Sequence, residues 1–225
     1  MEVVDLSQVL WSDMPVYHGD AQFQCTSTFL LPGGITTQYI GCSSHHGTHI
    51  DAPYHFFEDG ETVEQLPLSD FIGPVIVVDV TDKAPRQRIM WSDIEHYEER
   101  IRLGASQGAL VFFRTGWSKY WLSQEYSGHP FLDKGIAEKL IEFGIQAMGI
   151  DTFSPDETPV YDLGGTTKDY GVHQTFLGAG AIIAENLTNL EAIQDGDWTV
   201  CLAPLKILGC DASPVRAMAW KRGTA

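Results

Sequence analysis

Five short runs of apolar, largely β-branched residues punctuate the chain: GPVIVVDV (73–80), GALVFFR (108–114), IQAMGID (145–151), AIIAENL (181–187) and WTVCLAPL (198–205). Each is nearly continuous rather than alternating, which is the pattern of a strand covered on both faces. Helical spacing fills two of the gaps. SDIEHYEERI carries Ser92 and Glu95 in the S-x-x-E spacing of a capping box. DKGIAEKLIEFG runs from Asp133, the expected N-cap, to Gly144, expected just past the helix end. This alternation predicts an α/β domain with a mainly parallel central sheet.

The first 57 residues follow a different rule. TQYIGCSSHHGTHIDAPYHFF has no helical period, and Gly41, Gly47 and Pro53 each oppose a helix there. Extended segments and turns are expected, forming a second, antiparallel sheet. The stretch 152–170, TFSPDETPVYDLGGTTKDY, has no apolar period, and a loop of that length beside a site has the character of a lid. No internal repeat, low-complexity tract or Pro/Gly/Ser linker divides the chain, so residues 1–225 are expected to form one domain.

Charge narrows the partners. The chain carries 30 acidic and 14 basic residues, a formal net charge of −16, so phosphate backbones are repelled and nucleic acid is not expected as a partner. No apolar run approaches the roughly 18 residues of a membrane span, and the opening MEVVDLSQVLW lacks the basic start of a signal peptide. A cytoplasmic location is the expectation. The four cysteines (Cys25, Cys42, Cys201, Cys210) form no C-x-x-C pair; three sit beside apolar residues or glycine, and a structural role is the expectation.

Histidine is where the chemistry concentrates. Of eight histidines, four lie between His45 and His55 in SSHHGTHIDAPYHFF (43–57). His45, His49, Asp51 and His55 all occupy odd positions, so an extended chain points them to one side. His45 and His49 also have the helical spacing of H-E-x-x-H, but His46 stands where that motif has Glu, and Gly47 and Pro53 oppose the helix. Imidazole and carboxylate together suit zinc, and equally manganese or iron. Two imidazoles and a carboxylate leave coordination positions open, which marks catalytic rather than structural sites. His46 is out of phase and is read as facing solvent or making a supporting contact. Glu185 sits inside AIIAENL, where a carboxylate is costly unless coordinated or ion-paired, and both remain open.

The run H-x-G-T-H-x-D-x-P-x-H-F, His45 to Phe56, resembles the motif of the cyclase family of metal-dependent hydrolases, which includes bacterial kynurenine formamidases and isatin hydrolases. VDLSQVLWSDMPVYHGD, FFRTGW (112–117), MGIDTFSPD (148–156), GVHQTFLGAGAIIAENL (171–187) and PLKILGCDASPVRAMAW (204–220) are similar to further blocks of that family, in the same order. The resemblance implies a three-layer β/β/α swivelling-type fold with an outer antiparallel sheet, and a homodimer. It implies that His45, His49 and Asp51 hold a divalent metal. Asp51 would bridge to a second ion completed by His173 and Glu185, giving one or two ions per chain, zinc before manganese. His55 matches the family's catalytic acid/base, and a histidine's ordinary pKa of about 6.5 suits proton transfer near neutrality.

The implied substrate is a small aryl formamide or cyclic amide of the N-formylkynurenine or isatin type. Where the family opens P-G-D-P, this chain has His18-Gly19-Asp20-Ala21, which places the hydrolase class ahead of any one substrate. Two other readings stay open: a cyclase or dehydratase acting on a polyketide-like substrate, and a non-catalytic module stapled by its metal. No G-x-S-x-G elbow offers a serine nucleophile. Asp151, Asp211 and Ser213 are read as turn formers. Trp11, Tyr17, Phe23, Phe57 and Trp117 are candidates for an aromatic pocket wall, though no substrate-binding residue is assigned.

Overall fold

A computed structural model of the chain describes residues 2–17, 19–31, 34–159 and 169–221. Expectations that fall on His18 and on 160–168 of the long loop lie outside the described residues. The strands are, in chain order, β1 (Val3–Asp5), β2 (Gln24–Leu31), β3 (Ile35–Gly41), β4 (His49–Asp51), β5 (Ile72–Asp79), β6 (Arg88–Ile89) and β7 (Leu110–Arg114). There follow β8 (Phe131–Leu132), β9 (Ala147–Ile150), β10 (Ile182–Glu185), β11 (Trp198–Cys201), β12 (Ala212–Pro214) and β13 (Met218–Lys221).

Nine of these form one sheet in the order β1-β13-β11-β5-β7-β9-β10-β4-β12. Its centre, β5-β7-β9-β10, is parallel, as the doubly apolar runs predict. On both sides the pairing turns antiparallel, through β11, β13 and β1 at one end and β4 and β12 at the other. The sheet curls so that Trp198, Val200 and Ala219 of the antiparallel arm share one core cluster with Val75, Val77, Leu110 and Phe112. The alternate residues Ile76, Val78, Val111 and Phe113 point the other way into a second cluster, beneath the helices. This is the expected β/β/α layering, with the outer antiparallel layer made largely from the flanks of the same sheet. Two two-stranded sheets are the remainder, the antiparallel hairpin β2-β3 and the parallel pair β6-β8.

The helices are α1 (Trp91–Ile94), α2 (Glu98–Ala105), α3 (Lys134–Phe143) and α4 (Gly171–Gly178). Asp133 caps α3 by accepting from Gly135 N–H, and Gly144 ends it at φ 87°, both as the sequence predicts. The expected cap at Ser92 is displaced. The N-cap falls two residues earlier, at Met90, and Asp93 rather than Glu95 reaches back, accepting from Met90 N–H at 2.8 Å. A 3₁₀ turn at Glu95–Tyr97 then separates α1 from α2.

Candidate metal centre

The site sits where β4 is clamped between β10 and β12. Strand alternation places Ile50 in the core beneath the antiparallel arm, so His49 and Asp51 face the opposite, helical side. The antiparallel register sets Glu185 directly across from His49, with their facing atoms 3.3 Å apart. The other two histidines of the motif arrive by turns rather than by strand alternation. His45 precedes the turn at Gly47, which needs the left-handed φ of 62°. His55 ends a 3₁₀ turn, Pro53–His55, begun by the proline. His173 comes from the first turn of α4.

The hydrogen bonds decide which nitrogen of each ring faces inward. His49 Nδ1–H donates to Gly47 O at 2.8 Å, turning Nε2 toward Asp51 Oδ1 and Glu185 Oε2 at 3.4 and 3.3 Å. His173 Nδ1–H donates to Asp156 Oδ2 at 2.6 Å, and its Nε2 lies 3.2 Å from Glu185 Oε1 and 3.5 Å from Asp51 Oδ2. His45 Nε2–H donates to Asp211 Oδ2 at 2.9 Å, leaving Nδ1 2.9 Å from Asp51 Oδ1. In each case a carbonyl or carboxylate, which only accepts, fixes the outer nitrogen as the donor and bares the inner one. His55 Nδ1–H donates to the same Asp211 oxygen at 3.1 Å, and its ring centroid is 4.2 Å from that of His45.

At the centre, polar atoms converge without satisfying each other. His49 Nε2, both oxygens of Asp51 and Glu185 Oε1 are buried and have no hydrogen-bond partner. Native interiors rarely leave such groups unpaired, and a cation among them would supply the missing partner. Ligand atoms of His45, Asp51 and His55 lie within 4.8 Å of one another, as do those of His49, Asp51 and Glu185. The electrostatics agree. Burial works against charge on His45 and His49, yet the Asp51 carboxylate outweighs it and lifts their pKa to about 9 and about 10, so the inner nitrogens attract a proton that a metal ion would displace. Asp51 is itself held well below the ordinary carboxylate range: burial opposes this, and the adjoining His45 and His49 prevail. Two buried carboxylates thus draw positive charge into the centre, and imidazole with carboxylate is a donor set that fits a divalent ion.

The centre forms the floor of a cavity of about 280 Å³ whose upper wall includes Tyr17, Phe56, Phe153 and Tyr170. The Tyr17 and Tyr170 hydroxyls, from the N-terminal segment and the end of the long loop, approach to 3.3 Å. Of the five aromatics expected at this wall, only Tyr17 is there. Trp11, Phe23 and Trp117 pack with Met14, Trp121 and Tyr126 in a satellite core. Phe57 lines a separate surface depression with Tyr54. His46 does not face solvent: it is 1% exposed, accepts from Ser43 N–H at 3.0 Å and donates to Ala21 O at 2.8 Å, pinning two segments together.

Two aspartates that sequence reasoning passed over prove central. Asp211, read as a turn former, receives His45, His55 and the Ser44 hydroxyl. These hydrogen bonds, that from His45 foremost, hold its carboxyl far below the usual range. Asp156, inside the long loop, accepts from Val172 N–H, His173 N–H and the His173 ring, capping α4 and orienting its histidine together. Asp151 does fix a loop, accepting from the Thr115 hydroxyl and from the Thr115 and Gly116 N–H groups.

Residues 4–157 match the family model Cyclase, described as a putative cyclase. The chain belongs to the Cyclase family. It is 31% identical over 217 residues to a kynurenine formamidase of Delftia acidovorans, an alignment covering 95% of each chain. Among solved structures, isatin hydrolase A of Labrenzia aggregata bound to benzyl benzoate superposes with a TM-score of 0.83 at 26% identity, covering 97% of this chain and 93% of that one. A predicted metal-dependent hydrolase of Bacillus stearothermophilus has a TM-score of 0.76 at 29% identity, covering 98% of both. The fold described above therefore matches that of these proteins over 97–98% of the chain. Among the described residues, no helix is long and apolar enough to cross a membrane.

Proposed function

We propose that this cyclase-family chain is a metal-dependent amidohydrolase that cleaves the C–N bond of an aryl formamide or cyclic aryl amide of the N-formylkynurenine or isatin type. The observation that carries the reading is the convergence of unpartnered, buried imidazole and carboxylate atoms on the floor of an aromatic-walled cavity. The kynurenine formamidase and isatin hydrolase relatives support it independently.

In this reading His45, His49 and Asp51 hold a divalent ion, and Asp51, His173 and Glu185 hold a second where two are bound, zinc before manganese. Such an ion lowers the pKa of a bound water from about 15.7 to about 7 and polarises a carbonyl oxygen. The protein does the rest. Phe56, Phe153 and the two tyrosines hold a planar aryl group above the centre and exclude bulk water. His55, held by Asp211 through Nδ1, presents Nε2 for moving a proton to the departing nitrogen. Asp156 and Asp211 keep His173 and His45 in the tautomers that bare an inward nitrogen.

β1 pairs with β13, so the two ends of the chain close one sheet, which supports residues 1–225 acting as one catalytic unit. A cytoplasmic homodimer completes the proposal. The test is an assay of purified protein on N-formylkynurenine and isatin, before and after chelation and with zinc or manganese restored. Turnover of at least one, lost on chelation and regained with metal, is expected. Turnover of either that survives chelation would refute the metal-dependent reading.

A further inference from the structure

We propose that Asn186 is a positioning residue of the metal centre, locking the His45–His49 turn onto the strand that ends at Glu185 and so aiming the His49 imidazole. This rests on the metal-centre reading above. Asn186 follows Glu185 immediately, is 1% exposed, and adopts φ 56°, a left-handed conformation that residues other than glycine, asparagine and aspartate seldom take. That conformation ends β10 and turns the carboxamide toward the histidine motif.

All four polar groups of the residue are used, in contacts to Gly47, Thr48, Thr152 and Tyr126. Its Nδ2–H donates to Gly47 O at 2.9 Å. Its backbone O accepts from the Thr48 hydroxyl at 2.6 Å. Its N–H donates to Thr152 O at 2.9 Å, and its Oδ1 accepts from the buried Tyr126 hydroxyl at 2.9 Å. One residue thus grips two consecutive residues of the turn between His45 and His49. The Gly47 carbonyl is the junction, because it accepts both the Asn186 amide and His49 Nδ1–H. The orientation that points His49 Nε2 toward Glu185 is therefore anchored on the residue next to Glu185 itself.

None of these contacts uses a metal-donor atom, so removing them leaves every candidate ligand in place. A fall in metal affinity would then report on positioning alone. Asn186→Asp tolerates the left-handed backbone but lacks the donor to Gly47, and Asn186→Gly fits that backbone while removing the side chain. Both are titrated with Co²⁺, followed by its visible absorption, and with Zn²⁺ in competition, alongside circular dichroism and thermal melting. The expected result is wild-type secondary structure with Co²⁺ affinity weakened by roughly 10-fold or more and a shifted absorption band. Tyr126→Phe, which frees only Oδ1, is expected to give a smaller loss.

Co²⁺ affinity and spectrum indistinguishable from wild type would overturn the inference, whatever the melting temperature does. So would loss of the fold in both Asn186 variants, which would make the residue a folding element instead. Failure of the wild-type chain to bind Co²⁺ at all would remove the metal-centre reading itself.

Discussion

Replacing Asp211 with asparagine tests the side chain that joins the metal ligands to the proposed acid/base. Its Oδ2 receives His45 Nε2–H at 2.9 Å and His55 Nδ1–H at 3.1 Å, and its Oδ1 receives the Ser44 hydroxyl at 2.9 Å. An asparagine whose oxygen faces the two histidines keeps this geometry, because Ser44 can accept from the amide in place of donating. What is lost is the charge. A hydrogen bond to an ionised partner contributes about 1.5–3 kcal/mol against about 1 for a neutral one. The Asp211 side chain is 32% exposed, so solvent screening favours the small end of the difference between the two, about 0.5–1 kcal/mol per imidazole. With two imidazoles affected, the loss is about 1–2 kcal/mol, or roughly 5- to 30-fold in kcat/KM. The assay is steady-state hydrolysis of isatin and N-formylkynurenine with metal content measured on the same sample. A variant that keeps its metal and loses activity in that range supports the arrangement. Unchanged kcat/KM would show that the Asp211 carboxylate orients neither histidine.

Three further changes probe other parts of the account. His55→Ala is expected to retain metal while kcat falls by about 10²–10⁴-fold; loss of metal would instead place His55 among the ligands, as its approach to His45 and Asp51 would allow. His129 is buried and neutral, donating to Pro130 O and accepting from the Thr158 hydroxyl, and burial lowers its pKa to about 4. A lowered folded pKa leaves the native state binding fewer protons than the unfolded state, so the contribution is complete above about pH 6.5 and is lost towards pH 4, roughly 3 kcal/mol in all. Urea midpoints should therefore fall more steeply over that window in the wild type than in His129→Gln, and parallel curves would refute the assignment. Asp156→Ala is expected to weaken metal binding about 10-fold through the freed His173 ring; equilibrium dialysis showing no change would separate Asp156 from the site.

The parts of this molecule legible in its sequence are those written in local periodicity. The doubly apolar runs at 73–80, 108–114, 145–151 and 181–187 became the parallel centre, because strands covered on both faces have no polar side to show. Alternation along β4 does place His49 and Asp51 together, but His45 and His55 reach the same centre through turns, which a strictly extended reading of the motif did not distinguish. Glu185 was conspicuous as a carboxylate in an apolar run. Asp211, Asp156 and Asn186 were not: Asp211 reads locally as a turn former, Asp156 lies in the long loop, and Asn186 sits inside the strand-like run 181–187. Their roles depend on tertiary contacts: Asp211 meets His45 from 166 positions away, and Asn186 meets Gly47 from 139. The long loop raised an expectation of a lid, and its described ends do bring Phe153 and Tyr170 to the cavity wall. His46, out of phase with the cluster, reads as facing solvent or making a supporting contact; it does not face solvent, and buried, it bridges two segments.

Asp51 lies beside three histidines of the centre, His45, His49 and His173. Elemental analysis of Asp51→Asn beside the wild type is therefore the most direct measurement of whether these side chains gather a divalent ion. The account predicts one or two zinc or manganese ions per wild-type chain, and a folded variant stripped of them. A variant that keeps the wild-type stoichiometry would contradict it.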